Sequence, residues 1–126
     1  MKYSKKQKII LWILQITVSI ILLQTLFFKF RGAEESIQIF SALGIEPWGR
    51  ILTGILELTT GILLLSWRLS LIGAIISAII MIGAIISHVL VLGINDLFYL
   101  AIGTLMLSLI IIYIRRKEIS NLLHPL

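Results

Sequence analysis

The sequence predicts an all-α integral membrane protein, an up-down four-helix bundle with a short interfacial helix in its first outer loop. Three observations carry that prediction. The composition is 59% hydrophobic and 13% charged with a mean hydropathy of +1.08, against about 45–50% apolar and 25% charged in soluble domains. Four apolar stretches are each long enough to cross a hydrocarbon core, which takes about 20 helical residues. The cations cluster at the flanks of these stretches, the pattern that sets orientation in a bilayer. A chain of 126 residues has room for one domain, 1–126, and none for a second core.

The first span is predicted over 9–28, behind Lys2, Lys5, Lys6 and Lys8. Its apolar run is too long for a signal-peptide core and no small-residue cleavage site follows, so it reads as a retained helix. Between 29 and 47, Glu34 and Glu35 precede Ile37, Ile39, Phe40 and Leu43, with Gly44 behind them. Acids in a first turn and glycine after the end bracket a helix, and its apolar residues lay it on the outer leaflet. Pro47 opens the second span, 48–67, since proline is tolerated at a helix start. The third and fourth spans, 70–92 and 97–114, follow after very short turns, which makes consecutive helices antiparallel neighbours.

Both termini are assigned to the cytoplasm. With that orientation the inside carries Lys2, Lys5, Lys6, Lys8, Arg68, Arg115, Arg116 and Lys117, and the outside only Lys29, Arg31 and Arg50. Trp12, Trp67 and Tyr113 fall at the inner interface and Phe28, Phe30, Trp48, Phe98 and Tyr99 at the outer one. The plain reading of the basic flanks is topogenic, and a polybasic lipid-headgroup site is the narrower alternative. A net charge of +5 placed this way is no nucleic-acid footprint. The expected location is the bacterial cytoplasmic membrane, with the lipid bilayer as first partner.

Between helices in lipid, small residues allow close backbone approach and polar side chains hold contacts. Gly54 and Gly61 on the second span and Gly73, Ser77 and Ala84 on the third are therefore expected at helix interfaces. Gln15, Ser19 and Lys29 share one face of the first span. The fourth offers Gly103, Thr104 and Ser108, and reads as a structural wall.

Glu57 is the most informative residue. An acid inside a span costs about 2.5–3.5 kcal/mol on insertion scales and is retained for packing specificity or for binding a proton or ligand. At 1.5 Å per residue Glu57 lies about 13 Å from the start of its span and His88 about 7 Å from the end of its own, both in the outer half. Helical side chains lean toward the N-terminus, so the two lean toward one another, while Lys29 reaches down from the rim along its aliphatic stem. Lys29, Glu57 and His88 thus form the candidate pocket. Taken singly, each has a plainer reading: His88 as a bundle histidine with a local hydrogen bond, Lys29 as a snorkelling interface lysine.

Other chemistries find no residues to carry them. Zero cysteines exclude disulfides, thiolate metal sites and thiol catalysis. His88 and His124 stand too far apart in kind, one in a span and one in the tail, for a bis-histidine haem, and no metal site is expected. There is no H-E-x-x-H, G-x-S-x-G, P-loop or G-x-G-x-x-G motif. The sequence assigns no residue a catalytic role.

The ordered stretches "LFFKF", "FSALGIEPWGRILTGILELTTGILLL" and "GAIISAIIMIGAIISH" resemble the DoxX family of small four-span membrane proteins. The resemblance covers Leu26 to His88. It rests on a lysine ending the first span, G-x-x-E within the second and A-x-x-x-H ending the third, which here are Lys29, Gly54, Glu57, Ala84 and His88. It implies the four-helix fold more firmly than an activity. Relatives include subunits of a quinone-reducing thiosulfate oxidoreductase and accessory factors for assembling other proteins. Two readings follow. The favoured one is an accessory or assembly subunit without independent catalysis and without a cofactor, docking a membrane or redox protein. The alternative is a membrane subunit of a quinone-linked oxidoreductase, with the pocket holding the quinone headgroup.

Overall fold

In the computed structural model, which describes residues 3–120, every element is helical. α1 runs Lys5–Arg31, α2 Glu34–Ala42, α3 Trp48–Leu65, α4 Ser70–Ser87 and α5 Asp96–Ile114. The last turn of the third span widens into a π-helical segment, His88–Leu92, and a 3₁₀ turn, Arg116–Glu118, follows α5. His124 lies outside the described residues. The four predicted spans and the interfacial helix are all present, and each span is long and apolar enough to cross a membrane.

Local chemistry sets the ends. Ser4 caps α1 by accepting from the Gln7 amide, and the Gln7 side chain accepts in return from the Ser4 amide, a capping box. The other end closes at Gly32, whose φ of +72° is the left-handed conformation that other residues resist. α2 begins on Glu34 and Glu35, as its dipole favours. Asn95 starts α5 by accepting from the Phe98 amide at 3.1 Å.

The spanning helices close a ring in which α1 packs most extensively on α3 and α4 on α5, while α3 meets α4 and α1 meets α5 along the remaining sides. α2 lies over the end where α1 stops, touching α1, α3 and the π turn, with Ser36 and Phe40 turned inward. We call this the loop end and the opposite one, where α1 begins and α5 stops, the basic end.

Burial is inverted relative to a soluble protein. Gln15, Ser19, Ser77 and Ser108 have no exposed surface, whereas Ile13, Ile62 and Ile79 are about 60% exposed (60%, 59% and 63%). Only an apolar solvent removes the cost of such an exterior. The chain is an integral membrane protein.

Each seam uses the devices expected in lipid. Along α1–α3, Gln15 Nε2 donates to the Leu64 carbonyl at 3.0 Å and the Ser19 hydroxyl to the Gly61 carbonyl at 2.9 Å. A Cβ on Gly61 would sit 3.1 Å from Leu23, and one on Gly54 would collide with the Phe30 ring at 2.6 Å. A Cβ on Gly73 of α4 would sit 3.1 Å from Leu63 and Leu64 of α3. On α4–α5 the Ser77 and Ser108 hydroxyls meet at 2.8 Å, and Ser108 donates onward to the Thr104 carbonyl. Ala84 is half-buried against the core. Gly103 departs from expectation. It is exposed with open space around it, because it points one position away from the Thr104–Ser108 face that meets the bundle.

Candidate functional site

At the loop end α1 and α3 bring Lys29 and Glu57 together. Lys29 Nζ lies 2.8 Å from Glu57 Oε1, with the lysine side chain 17% exposed and the glutamate 3%. The contact is one of charge. Its angle provides no aligned hydrogen bond, so Oε1 is buried without a directed donor. Oε2 is served by Thr25, whose hydroxyl lies 2.7 Å away and also stands 3.0 Å from the Leu22 carbonyl. One hydroxyl has one proton to donate. Thr25 therefore donates to an ionised Glu57, or donates to Leu22 while accepting from a protonated one, without moving.

Thr25 escaped the sequence reading, although a signal was available. It precedes Lys29 by four residues, on the same helical face.

Arg50 completes the framework. Its Nε donates to both Glu46 oxygens, at 2.9 and 3.1 Å, and one Nη donates to the Lys29 carbonyl. A cation against the terminal carbonyls of α1 suits the helix dipole, and it fixes the backbone from which the Lys29 side chain reaches down. Counted from sequence among the outside charges, Arg50 is 9% exposed. Arg31 lies instead over the rings of Phe27 and Phe28.

His88 is buried at the start of the π turn. Its Nδ1 is 3.0 Å from the Gly93 carbonyl, and its ring stands edge-on to Phe98 with centroids 6.1 Å apart. A carbonyl only accepts, so Nδ1 carries a proton and Nε2 of the neutral ring carries the lone pair. The extra residue that a π turn inserts is frequent at functional sites because it re-aims side chains. Among the described residues His88 makes no hydrogen bond or ion pair to Lys29 or Glu57. Both places are joined by α2, which touches α1, α3 and the π turn alike.

The ordered lysine, glutamate and histidine now stand on a four-helix membrane bundle with the lysine and glutamate paired, and residues 13–113 match the model of the DoxX-like family. The chain belongs to the DoxX-like family. Neither a curated protein nor a solved structure matches it. The family match runs from α1 to the last turn of α5 and so takes in Lys29, Glu57 and His88 of this DoxX-like chain.

The basic end holds a second polar cluster that the sequence reading dispersed among flanking charges. Arg115 is 1% exposed. It donates to Glu118 at 2.9 Å and to Gln15 at 3.0 Å, and its guanidinium lies 4.0 Å from the Trp67 ring centre. The Tyr3 hydroxyl donates to the same Glu118 oxygen. Burial, then the bond to Glu118 and its charge, push the Tyr3 hydroxyl up to about 12 against the opposing pull of Arg115. Among the described residues no group of three metal-ligating side chains gathers.

Proposed function

We propose that this DoxX-like protein is an accessory or assembly subunit of the bacterial cytoplasmic membrane, without independent catalysis, with both termini in the cytoplasm and the loop end outside. The observation that carries the reading is the state of the loop-end polar groups. Glu57 is already neutralised by Lys29 and bonded to Thr25, and His88 is held by Gly93. The Lys29–Glu57 pair and the Thr25 bond fix α1 against α3, and the His88 bond closes the π turn on itself beneath α2. They present a defined surface for a partner rather than an open reaction chamber.

A second reading, a quinone-linked subunit, draws on one specific feature. His88 Nε2 is free to accept from a quinol hydroxyl and, once protonated, to donate to a quinone carbonyl. Lys29, partly exposed, would stand at the mouth of such a site.

Mild extraction separates the two. A stoichiometric protein partner lost on Glu57→Gln, with no quinone in the extract, supports the accessory role. Retained quinone lost on His88→Asn supports the redox role. A double-mutant cycle on Glu57→Gln and His88→Asn asks whether they act as one site: additivity within about 0.5 kcal/mol makes them separate. For orientation, Ser41→Cys and Asn95→Cys are expected to react with an impermeant thiol reagent outside intact cells and Ser4→Cys to be protected. Both Ser41 and Ser4 are exposed, and the chain has no native cysteine.

A further inference from the structure

The acids of this chain are unevenly placed. Glu34, Glu35, Glu46, Glu57 and Asp96 all belong to the loop end, and Glu118 alone stands at the basic end. The structure shows what that one carboxylate does. It accepts from Arg115 and from Tyr3, so the buried arginine takes the negative charge of the whole face. Lys5, Lys6, Lys8, Arg68, Arg116 and Lys117 are left exposed, and none forms an ion pair among the described residues.

These six cations come from three separate parts of the chain, and the Arg115 cluster is what gathers them. Tyr3 stands edge-on to Trp67, Arg115 lies over Trp67, and Tyr3 reaches Glu118. The start of α1, the α3–α4 turn and the end of α5 are thereby drawn onto one face. Two of the lysines, Lys5 and Lys6, open α1, whose first turn has no acid. Positive charge there opposes the helix dipole, a local disadvantage that an external anion would offset.

We propose that the basic end is a binding surface for anionic phospholipid headgroups, whose phosphodiesters are held by these six cations. A lipid fits better than an acidic protein segment because apolar surface adjoins the charges. Ile9 beside Lys8 is 53% exposed, Leu69 beside Arg68 44%, and Tyr113, on whose ring Arg116 lies at 4.3 Å, 66%. Headgroup and acyl chain of one lipid meet matching surfaces there.

The test is lipid retention by the full chain in neutral detergent, read by native mass spectrometry, with phosphatidylglycerol and phosphatidylcholine as probes. The wild type is expected to retain phosphatidylglycerol preferentially, and added salt to weaken it. Each cation near a membrane surface is worth roughly a fivefold change in affinity. Arg68→Gln and, separately, Arg116→Gln should each lower phosphatidylglycerol affinity about fivefold, and Lys5→Gln with Lys6→Gln about 25-fold. Arg31→Gln, an exposed cation of the loop end, should leave it unchanged. Equal retention of the two lipids overturns the proposal, as does equal weakening by Arg31→Gln or no weakening by the basic-end variants. A polyglutamate peptide that displaces phosphatidylglycerol and binds more tightly assigns the face to an acidic protein segment instead.

Discussion

The two ends of the bundle each set a cation against a carboxylate, yet the two cations differ in how far they are enclosed. At the loop end Lys29 is 17% exposed and ends in a compact ammonium on a flexible stem. Its stem leads toward the interface, so the pair is part-open on the lysine side, while Thr25 holds the other Glu57 oxygen. At the basic end Arg115 is 1% exposed, with its planar guanidinium held by Gln15, Glu118 and the face of Trp67. The geometry of a guanidinium, bonded in plane and stacked out of plane, makes it a fastener. Lysine beside a buried acid makes a contact that can open. The difference teaches that buried charge ties helices together at both ends of one small membrane protein, through an enclosed and stacked guanidinium at one and a part-exposed ammonium at the other.

The largest expected effect breaks the fastener. Arg115→Leu leaves the Gln15 side-chain oxygen buried without its donor and removes the contact with Trp67. A loss of about 3 kcal/mol in chemical unfolding in micelles is expected. A loss no greater than that from Glu57→Gln would erase the distinction between the ends.

The seam that connects them comes next. Gly61→Leu forces α1 and α3 apart where a Cβ already meets Leu23 at 3.1 Å and the Ser19 hydroxyl at 3.4 Å, and about 1–3 kcal/mol of destabilisation is expected. Gly83→Leu, into open space, should cost little in the same assay. Similar melting of the two variants would refute the interface assignment.

Glu57→Gln should cost only about 1 kcal/mol, since the amide keeps a bond to Thr25 and Lys29 withdraws to the interface. A loss as large as that of Arg115→Leu would show that Lys29 is as fixed as the arginine.

The smallest effect is one of pH. The Tyr3 hydroxyl is raised from 10.0 to about 12 in the folded protein, so the folded state holds its proton more tightly than the unfolded chain. Its contribution is whole below the unfolded value and fades as pH rises toward the folded one. Tyr3→Phe should therefore flatten the alkaline fall in melting temperature between those values, relative to wild type. An unaltered alkaline slope in Tyr3→Phe would place the titrating group elsewhere.

Length, periodicity and flanking charge were enough to read the four spans, the interfacial helix over Glu34–Ala42 and the faces bearing Gln15, Ser19, Gly61, Gly73 and Ser77. The bilayer sets helix length and inverts burial, and both leave a direct trace in the order of residues. Depth and lean, counted along two antiparallel helices, pointed Glu57 and His88 toward one another, whereas the structure gives Glu57 to Lys29 and Thr25 and His88 to Gly93. Three things needed the tertiary structure. Rotation of α5 decided that Thr104 and Ser108 face inward and Gly103 outward, because an apolar helix without a strong polar stripe has no orientation of its own. The π turn decided that His88 answers to Gly93, because one inserted residue shifts every side chain after it by about 100°. And only packing distinguished Arg115 from Arg116: neighbours in sequence with the same charge, they part company because a helix end turns one toward Trp67 and Gln15 and the other toward the membrane surface.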